Sequence, residues 1–155
     1  KISNLMYQNI PLIEITDHFK NDEIQMTGYL FDADTTFATG QWSYYESNGK
    51  ISQYRLYEYE TFINEFPHLE EYTKLIEKPD CDKISLHIRF FPKKLKYVGY
   101  RRNDGKRIGK WRIYKKNGKY IVCDFKNGKA PTVLRLYDKN DKLIKKGYYS
   151  PRFVQ

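Results

Sequence analysis

The residues able to do acid–base or metal chemistry are few and scattered. His18, His68 and His87 stand in no HxH, HExxH or HxxxH relation, so the spacing that brings two imidazoles onto one metal or one proton path is missing. Asp17, Asp32 and Asp34 carry oxygens of the kind a divalent cation takes, but Asp32-Ala33-Asp34 reads first as a turn, where short acidic side chains bond their own backbone. His87 lies in SLHIRFF two residues before Arg89, where it could act as a general base beside that Arg in an RNA-cleaving site. On a strand surface the same pair is more commonly inert. No GxxxxGK or GxGxxG loop occurs, which leaves a nucleotide cofactor without a phosphate cradle. Cys81 and Cys123 form no CxxC and argue against zinc; they stand as two free thiols or, in an exported protein, one disulfide. The expectation is a protein with no catalytic residues, no metal and no cofactor.

Binding chemistry is better represented. Twenty-eight Lys and Arg against nineteen Asp and Glu give +9 over 155 residues. Residues 1–81 hold six basic and fourteen acidic side chains, a balance of −8, while residues 82–155 hold twenty-two and five, a balance of +17. A segment so charged attracts anionic partners. Part of it is accounted for by Lys on sheet surfaces, where it blocks unwanted strand pairing, yet +17 exceeds what solubility requires. In the same half Tyr97, Tyr100, Trp111, Tyr114 and Tyr120 interleave with Arg101, Arg102, Lys106, Arg107, Lys110, Arg112, Lys115 and Lys116. Aromatic faces among cations are how single strands of nucleic acid are held.

Those side chains need a scaffold, and composition points to strands: fifteen Tyr and nine Phe favour β structure while Ala is scarce. The length suits a single domain spanning 1–155, and no run reaches the roughly 18 apolar residues of a membrane-spanning helix. The chain begins at Lys1 and not at Met; its compartment is open between cytoplasm and export. An internal repeat then organises the sequence. GKWRIYKKNGK at 109–119 matches GQWSYYESNGK at 40–50. A shift of 23 residues carries Trp111, Tyr114, Asn117 and Lys119 onto Leu134, Tyr137, Asn140 and Lys142 in LRLYDKNDKLI, and the reverse shift reaches Ile88 and Phe91. Asp104-Gly105-Lys106 likewise precedes Asn127-Gly128-Lys129 by 23.

Each unit reads as a β-hairpin closed by an Asn-Gly or Asp-Gly pair in a two-residue type I′ loop, with positive φ at Gly49, Gly118 and Gly128. One hairpin is marginally stable alone, so neighbours must join edge to edge. Trp42 and Trp111 are then equivalent core residues. Arg89, Arg112 and Arg135, one period apart, are expected in a row on the face opposite the core.

The pattern G-x-W-x-x-Y-x-x-N-G-K, carried by Gly40, Trp42, Tyr45, Asn48 and Gly49 and again by Gly109, Trp111, Tyr114, Asn117 and Gly118, resembles the MORN-repeat variant family. The resemblance covers 37–57 and 85–150, with units near 37–57, 85–107, 108–130 and 131–150; Leu134 and Ile88 depart from it by standing where Trp is expected. It implies a twisted row of hairpins serving as an interaction surface, with immunity-like and antitoxin-like roles among bacterial variants and no catalytic residue. Lipid binding is also attributed to the family.

Between units, residues 58–80 lack turn pairs, and Leu69, Tyr72, Leu75 and Ile76 fall at helical spacing. They predict one helix near 67–78, opened by Pro67 and closed by Pro79, lying over one face of the sheet. Residues 1–23 show no clean period, and Met26–Phe31 reads as a strand. The chain is therefore expected to be α+β and mainly β, an antiparallel meander of stacked hairpins with one inserted helix. Its expected function is non-catalytic binding of an acidic partner protein, a cognate toxin on the immunity reading. The contacts would come from Arg89, Arg101, Arg102, Arg107, Arg112 and Arg135, with Tyr97 or Tyr100 as aromatic anchors. RNA or anionic lipid headgroups are the alternative occupants of the same face.

Overall fold

A computed structural model describes residues 1–31, 37–91, 94–126, 128–129 and 133–148. Eleven strands pair in chain order in one antiparallel sheet: β1 Ile2–Tyr7, β2 Ile10–His18, β3 Ile24–Leu30, β4 Ala38–Tyr45, β5 Ile51–Tyr57, β6 Ile84–Phe91, β7 Lys94–Arg102, β8 Arg107–Tyr114, β9 Tyr120–Phe125, β10 Val133–Tyr137 and β11 Leu143–Tyr148. The expected meander is present, and it extends through the amino-terminal segment, where no period announced β1 and β2. The Asp32-Ala33-Asp34 turn lies outside the described residues.

Turn chemistry sets the strand reversals, in a form that corrects the two-residue loop. At 46–50 the Gly49 N–H donates to the Glu46 carbonyl and the Glu46 N–H to the Lys50 carbonyl. That is a type I turn closed by a G1 bulge, in which the fourth residue alone needs positive φ. The same pair of bonds recurs at 19–23, 102–106, 115–119 and 138–142. Gly49, Gly105 and Gly118 take φ of 86°, 85° and 88°, while Asp22 and Asp141 hold the equivalent position at 68° and 67°. The Asn of Asn-Gly has a different task from the expected one: Asn48 Oδ1 accepts from the Lys50 N–H and Asn117 Oδ1 from the Lys119 N–H, each at 3.0 Å. A type I′ loop does occur, without glycine, at Gln8-Asn9 (φ 51° and 64°) between β1 and β2.

The two Trp positions share a second device. Thr27 pairs with Ser43 and Tyr29 with Thr39, so Gly28 faces the three residues Gly40–Trp42; likewise Gly99 faces Gly109–Trp111. The bulge lays each indole flat on the opposing glycine, where a Cβ would come within 2.2 Å of Trp42 and 2.0 Å of Trp111. Both indole N–H groups then reach a backbone carbonyl, of Tyr29 and Thr39 for Trp42 and of Tyr100 for Trp111. Both Trp side chains are buried.

The insertion is not one helix but four short turns: α1 Tyr59–Phe62, 3₁₀ turns at Ile63–Glu65 and Pro67–Leu69, and α2 Glu70–Thr73. Phe66, immediately before Pro67, is held at φ −129° and ψ 68°, because the pyrrolidine ring excludes helical geometry from the preceding residue. No side chain caps any of the four. The apolar stripe nevertheless lands as its spacing requires. Leu69 and Ile76 join Tyr59 and Phe62 in a core with Leu12, Leu56, Ile84, Leu86, Ile88, Val98 and Tyr100, and Tyr72 and Leu75 pack against it.

A second core, Trp111, Ile121, Cys123, Phe125, Leu134 and Leu136, lies on the opposite face of the sheet. The side of the sheet that is buried thus changes between β7 and β8.

Candidate functional site

Where the first core occupies one face of β5–β7, alternation turns the intervening side chains to the other. In β5 these are Gln53, Arg55 and Tyr57; in β6, Ser85, His87 and Arg89; in β7, Tyr97, Gly99 and Arg101. Register assembles them into a grid: Gln53 opposes Arg89, which opposes Tyr97; Arg55 opposes His87, which opposes Gly99; Ser85 opposes Arg101, which opposes Arg107 of β8. Together with Phe37, Ala38, Glu58, Arg102, Asn103 and Gly105 at the rim, the β5–β7 side chains line a cavity of about 580 Å³.

The cavity is strongly basic. Glu58 is the one carboxylate among its described lining residues. Arg102 pairs with Asp104 at 3.0 Å, but Arg55, Arg89, Arg101 and Arg107 make no ion pair with a described carboxylate. Other forces hold Arg55, Arg101 and Arg107. Arg55 stacks on Tyr44 at 5.0 Å and donates to Tyr57 Oη; its buried Nε has no hydrogen-bond partner among the described residues. Arg101 donates to the Gly105 carbonyl at 2.9 Å. Arg101 and Arg107, directly opposite one another, both lie over the Trp111 ring, at 5.3 and 4.8 Å. Like charges so placed repel, and burial first, then Arg107, holds Arg101 below the usual guanidinium range.

Ser85 and His87 are buried in this basic wall, with Ser85 Oγ 2.8 Å from His87 Nε2. Burial, reinforced by Arg101, Arg55 and Arg107, pushes the His87 imidazole down to about 3, so it is neutral at physiological pH. A base that weak has little drive to take a proton.

The residues singled out from sequence are distributed unequally. Arg89, Tyr97, Arg101 and Arg102 line the cavity. Arg107 sits beside it, turned onto Trp111 and Phe125. Tyr100 is fully buried against Tyr59 in the first core, which removes it as an aromatic anchor. The row of Arg89, Arg112 and Arg135 does not form. Arg112 and Arg135 both oppose Val122 and share a face, whereas Arg89 opposes Gln53 and Tyr97 on the other. The cause is register: Ile88 pairs with Val98 and Val98 with Arg112. Aligning Ile88 with Trp111 is therefore one residue out of step, and a one-residue slip exchanges faces. Arg112 is itself engaged, lying 4.1 Å over Tyr120 and bonding Tyr114 Oη.

Arg55, Gln53 and Ser85 escape a reading by charge because Arg55 stands in the acidic half of the chain. The signal was present in the alternation S-L-H-I-R and Q-Y-R-L-Y, strands whose second face is polar and basic. Cys81 and Cys123 are free thiols, and burial raises Cys123 to about 11. Among the described residues no three His, Cys, Asp or Glu side chains gather as a metal site, and no helix is long and apolar enough to cross a membrane. In comparisons with known proteins the chain matches no family model, no curated protein and no solved structure.

Proposed function

We propose that the protein is a non-catalytic binding module that receives an acidic segment of a partner protein in the arginine-walled cavity between β5 and β7. One observation carries the reading: Arg55, Arg89 and Arg101, without ion-pair partners among the described residues, stand on three adjacent strands around a single cavity. Guanidinium groups present planar forks suited to carboxylates and are enriched where proteins bind one another. The +17 balance of residues 82–155 adds long-range attraction. The depressed His87 favours binding over proton transfer. The repeat pattern around Trp42 and Trp111 favours an immunity or antitoxin role, in which the cavity face covers a cognate toxin.

The test is fluorescence anisotropy with labelled poly-glutamate and, in parallel, oligo-uridylate, each over a salt series. Tight binding to poly-glutamate that is lost in an Arg89→Glu, Arg101→Glu double variant with an unchanged melting temperature supports the reading. Preference for oligo-uridylate with a steep fall in salt marks a phosphate-backbone binder instead and overturns it.

A further inference from the structure

We infer that the cavity is built for a phosphate monoester dianion, a phosphoryl group carried either by a small nucleotide-sized molecule or by a phosphorylated side chain. The inference rests on one part of that reading, that the cavity receives an anion, and narrows the anion to one chemical class.

Charge is the first ground. Arg55, Arg89 and Arg101 line the cavity, and Arg107 opposes Arg101 across the β7–β8 pair, with Glu58 the one described carboxylate on the lining. A single carboxylate offsets one of these charges and leaves the remainder repelling; a phosphate monoester brings close to two. Placement is the second. The three lining guanidiniums come from β5, β6 and β7, three adjacent strands whose side chains on this face border one cavity, so a group that fills it is bordered by all three. A planar carboxylate engages one fork well. A tetrahedral group with three free oxygens accepts from several at once.

The third ground is a donor on one of these arginines. Among the described residues no acceptor meets the buried Arg55 Nε, so the guanidinium of a residue that lines the cavity has a donor left over. Finally, about 580 Å³ exceeds what a bare anion needs and falls in the range of small-molecule sites. Phe37, Tyr57 and Tyr97 on the lining supply apolar and stacking surface for whatever carries the phosphoryl group.

The experiment is isothermal titration at constant ionic strength with phenyl phosphate, phenyl sulfate and benzoate, which keep the ring and vary charge and shape, followed by AMP and by a phosphoserine peptide with its Glu counterpart. Phenyl phosphate is expected to bind at least tenfold more tightly than phenyl sulfate or benzoate. Arg55→Gln and Arg101→Gln should each weaken it tenfold or more, while Arg135→Gln, on the opposite face, leaves it unchanged. Arg55 is partly buried, so if its variant unfolds, Arg101→Gln decides. AMP binding above the phosphopeptide identifies a free ligand and overturns the acidic-partner reading while supporting the inference; the reverse order identifies a phosphorylated partner and supports both. Equal affinity for phenyl phosphate and benzoate, with poly-glutamate still bound, overturns the inference and leaves the acidic-partner reading standing. Failure of every anion, poly-glutamate included, overturns both.

Discussion

Two stretches of the sheet are built on the same frame and put to different uses. In both, a glycine in one strand faces a Gly-x-Trp bulge in the next, the indole covers that glycine, and a five-residue G1-bulge turn leads into a third strand. The difference lies in that third strand. Opposite Trp42 stands Arg55 and opposite Tyr44 stands Gln53; opposite Trp111 stands Cys123 and opposite Ile113 stands Ile121. The first copy turns polar groups to the Trp face and opens the cavity, while the second turns apolar groups there and closes a core. Repeats of this kind fix where side chains stand and leave open what they are. The cavity opens where one copy gives up burial on that face, which it can do because the insertion has already covered its other face.

The comparison breaks first at the tryptophans. Trp111, with no exposed surface, should lose ~3–5 kcal/mol on replacement by Ala, the usual range for a buried large aromatic, and Trp42→Ala should fall toward the lower end because its ring meets a polar third strand. Gly99→Ala places a methyl inside the Trp111 ring and should be similarly damaging alone, yet nearly neutral once Trp111 is already Ala. Urea denaturation of the two single variants and the double variant measures this coupling. Independent, additive losses would mean that the glycine and the indole do not form one unit.

The polar copy should have a pH signature that the apolar copy lacks. Folded His87 titrates near 3 and an unfolded His near 6.5, so below 6.5 the unfolded chain binds a proton that the folded chain refuses. Stability attributable to His87 is present above about 6.5 and is lost as pH falls toward 3, by about 1.4 kcal/mol per unit, or ~2 kcal/mol between pH 6.5 and 5. His87→Gln should flatten that part of the stability curve. An unchanged slope in the variant would place His87 in a wetter, less basic setting than the grid around it implies.

Much of this was legible from residue types. Alternation, the 23-residue period and the Asn-Gly pairs reach the meander, the buried tryptophans and the apolar stripe of the insertion. They do not reach β1 and β2, whose turn at Gln8-Asn9 uses no glycine and whose Ile2, Met6 and Ile10 are exposed, so no amphipathic pattern marks them. The cavity was half legible. Charge counts led to Arg89 and Arg101, but Arg55 reaches them only through strand pairing across the insertion, a long-range fact that local composition does not encode. Tyr100 shows the opposite error: an aromatic among arginines looks available until the register sends it to the covered face.

Smaller effects separate the turns. Gly118 has φ of 88°, and a Cβ added there would meet only the Lys139 Cβ, at 3.5 Å; Gly49 has φ of 86° and nothing near it. Replacement of either by Ala therefore costs conformational strain alone, ~1–2 kcal/mol, without the collapse expected at Gly99. Thermal unfolding of Gly49→Ala beside Gly99→Ala shows whether conformation and contact are separate causes.

The smallest and most discriminating test lies in the two turns that place Asp where the others place Gly. Asp22 and Asp141 both hold positive φ, a conformation Asp tolerates better than most residues but Gly adopts freely. The Asp22 side chain has no hydrogen bond or ion pair among the described residues, so Asp22→Gly should raise stability by a few tenths of a kcal/mol, at most ~1. Asp141 differs: its Oδ1 accepts from Tyr120 Oη at 2.5 Å and lies 3.9 Å from Arg112, tying the turn to the aromatic ladder of Tyr114, Tyr120 and Tyr137. Asp141→Gly relieves the same strain but leaves a partly buried phenol without its acceptor, a loss of ~1 kcal/mol that offsets the gain. The expected result is a higher melting temperature for Asp22→Gly and an unchanged or lower one for Asp141→Gly. Equal stabilisation of both would show that the Tyr120 contact contributes nothing and that Asp141 stands there only as a poor substitute for glycine.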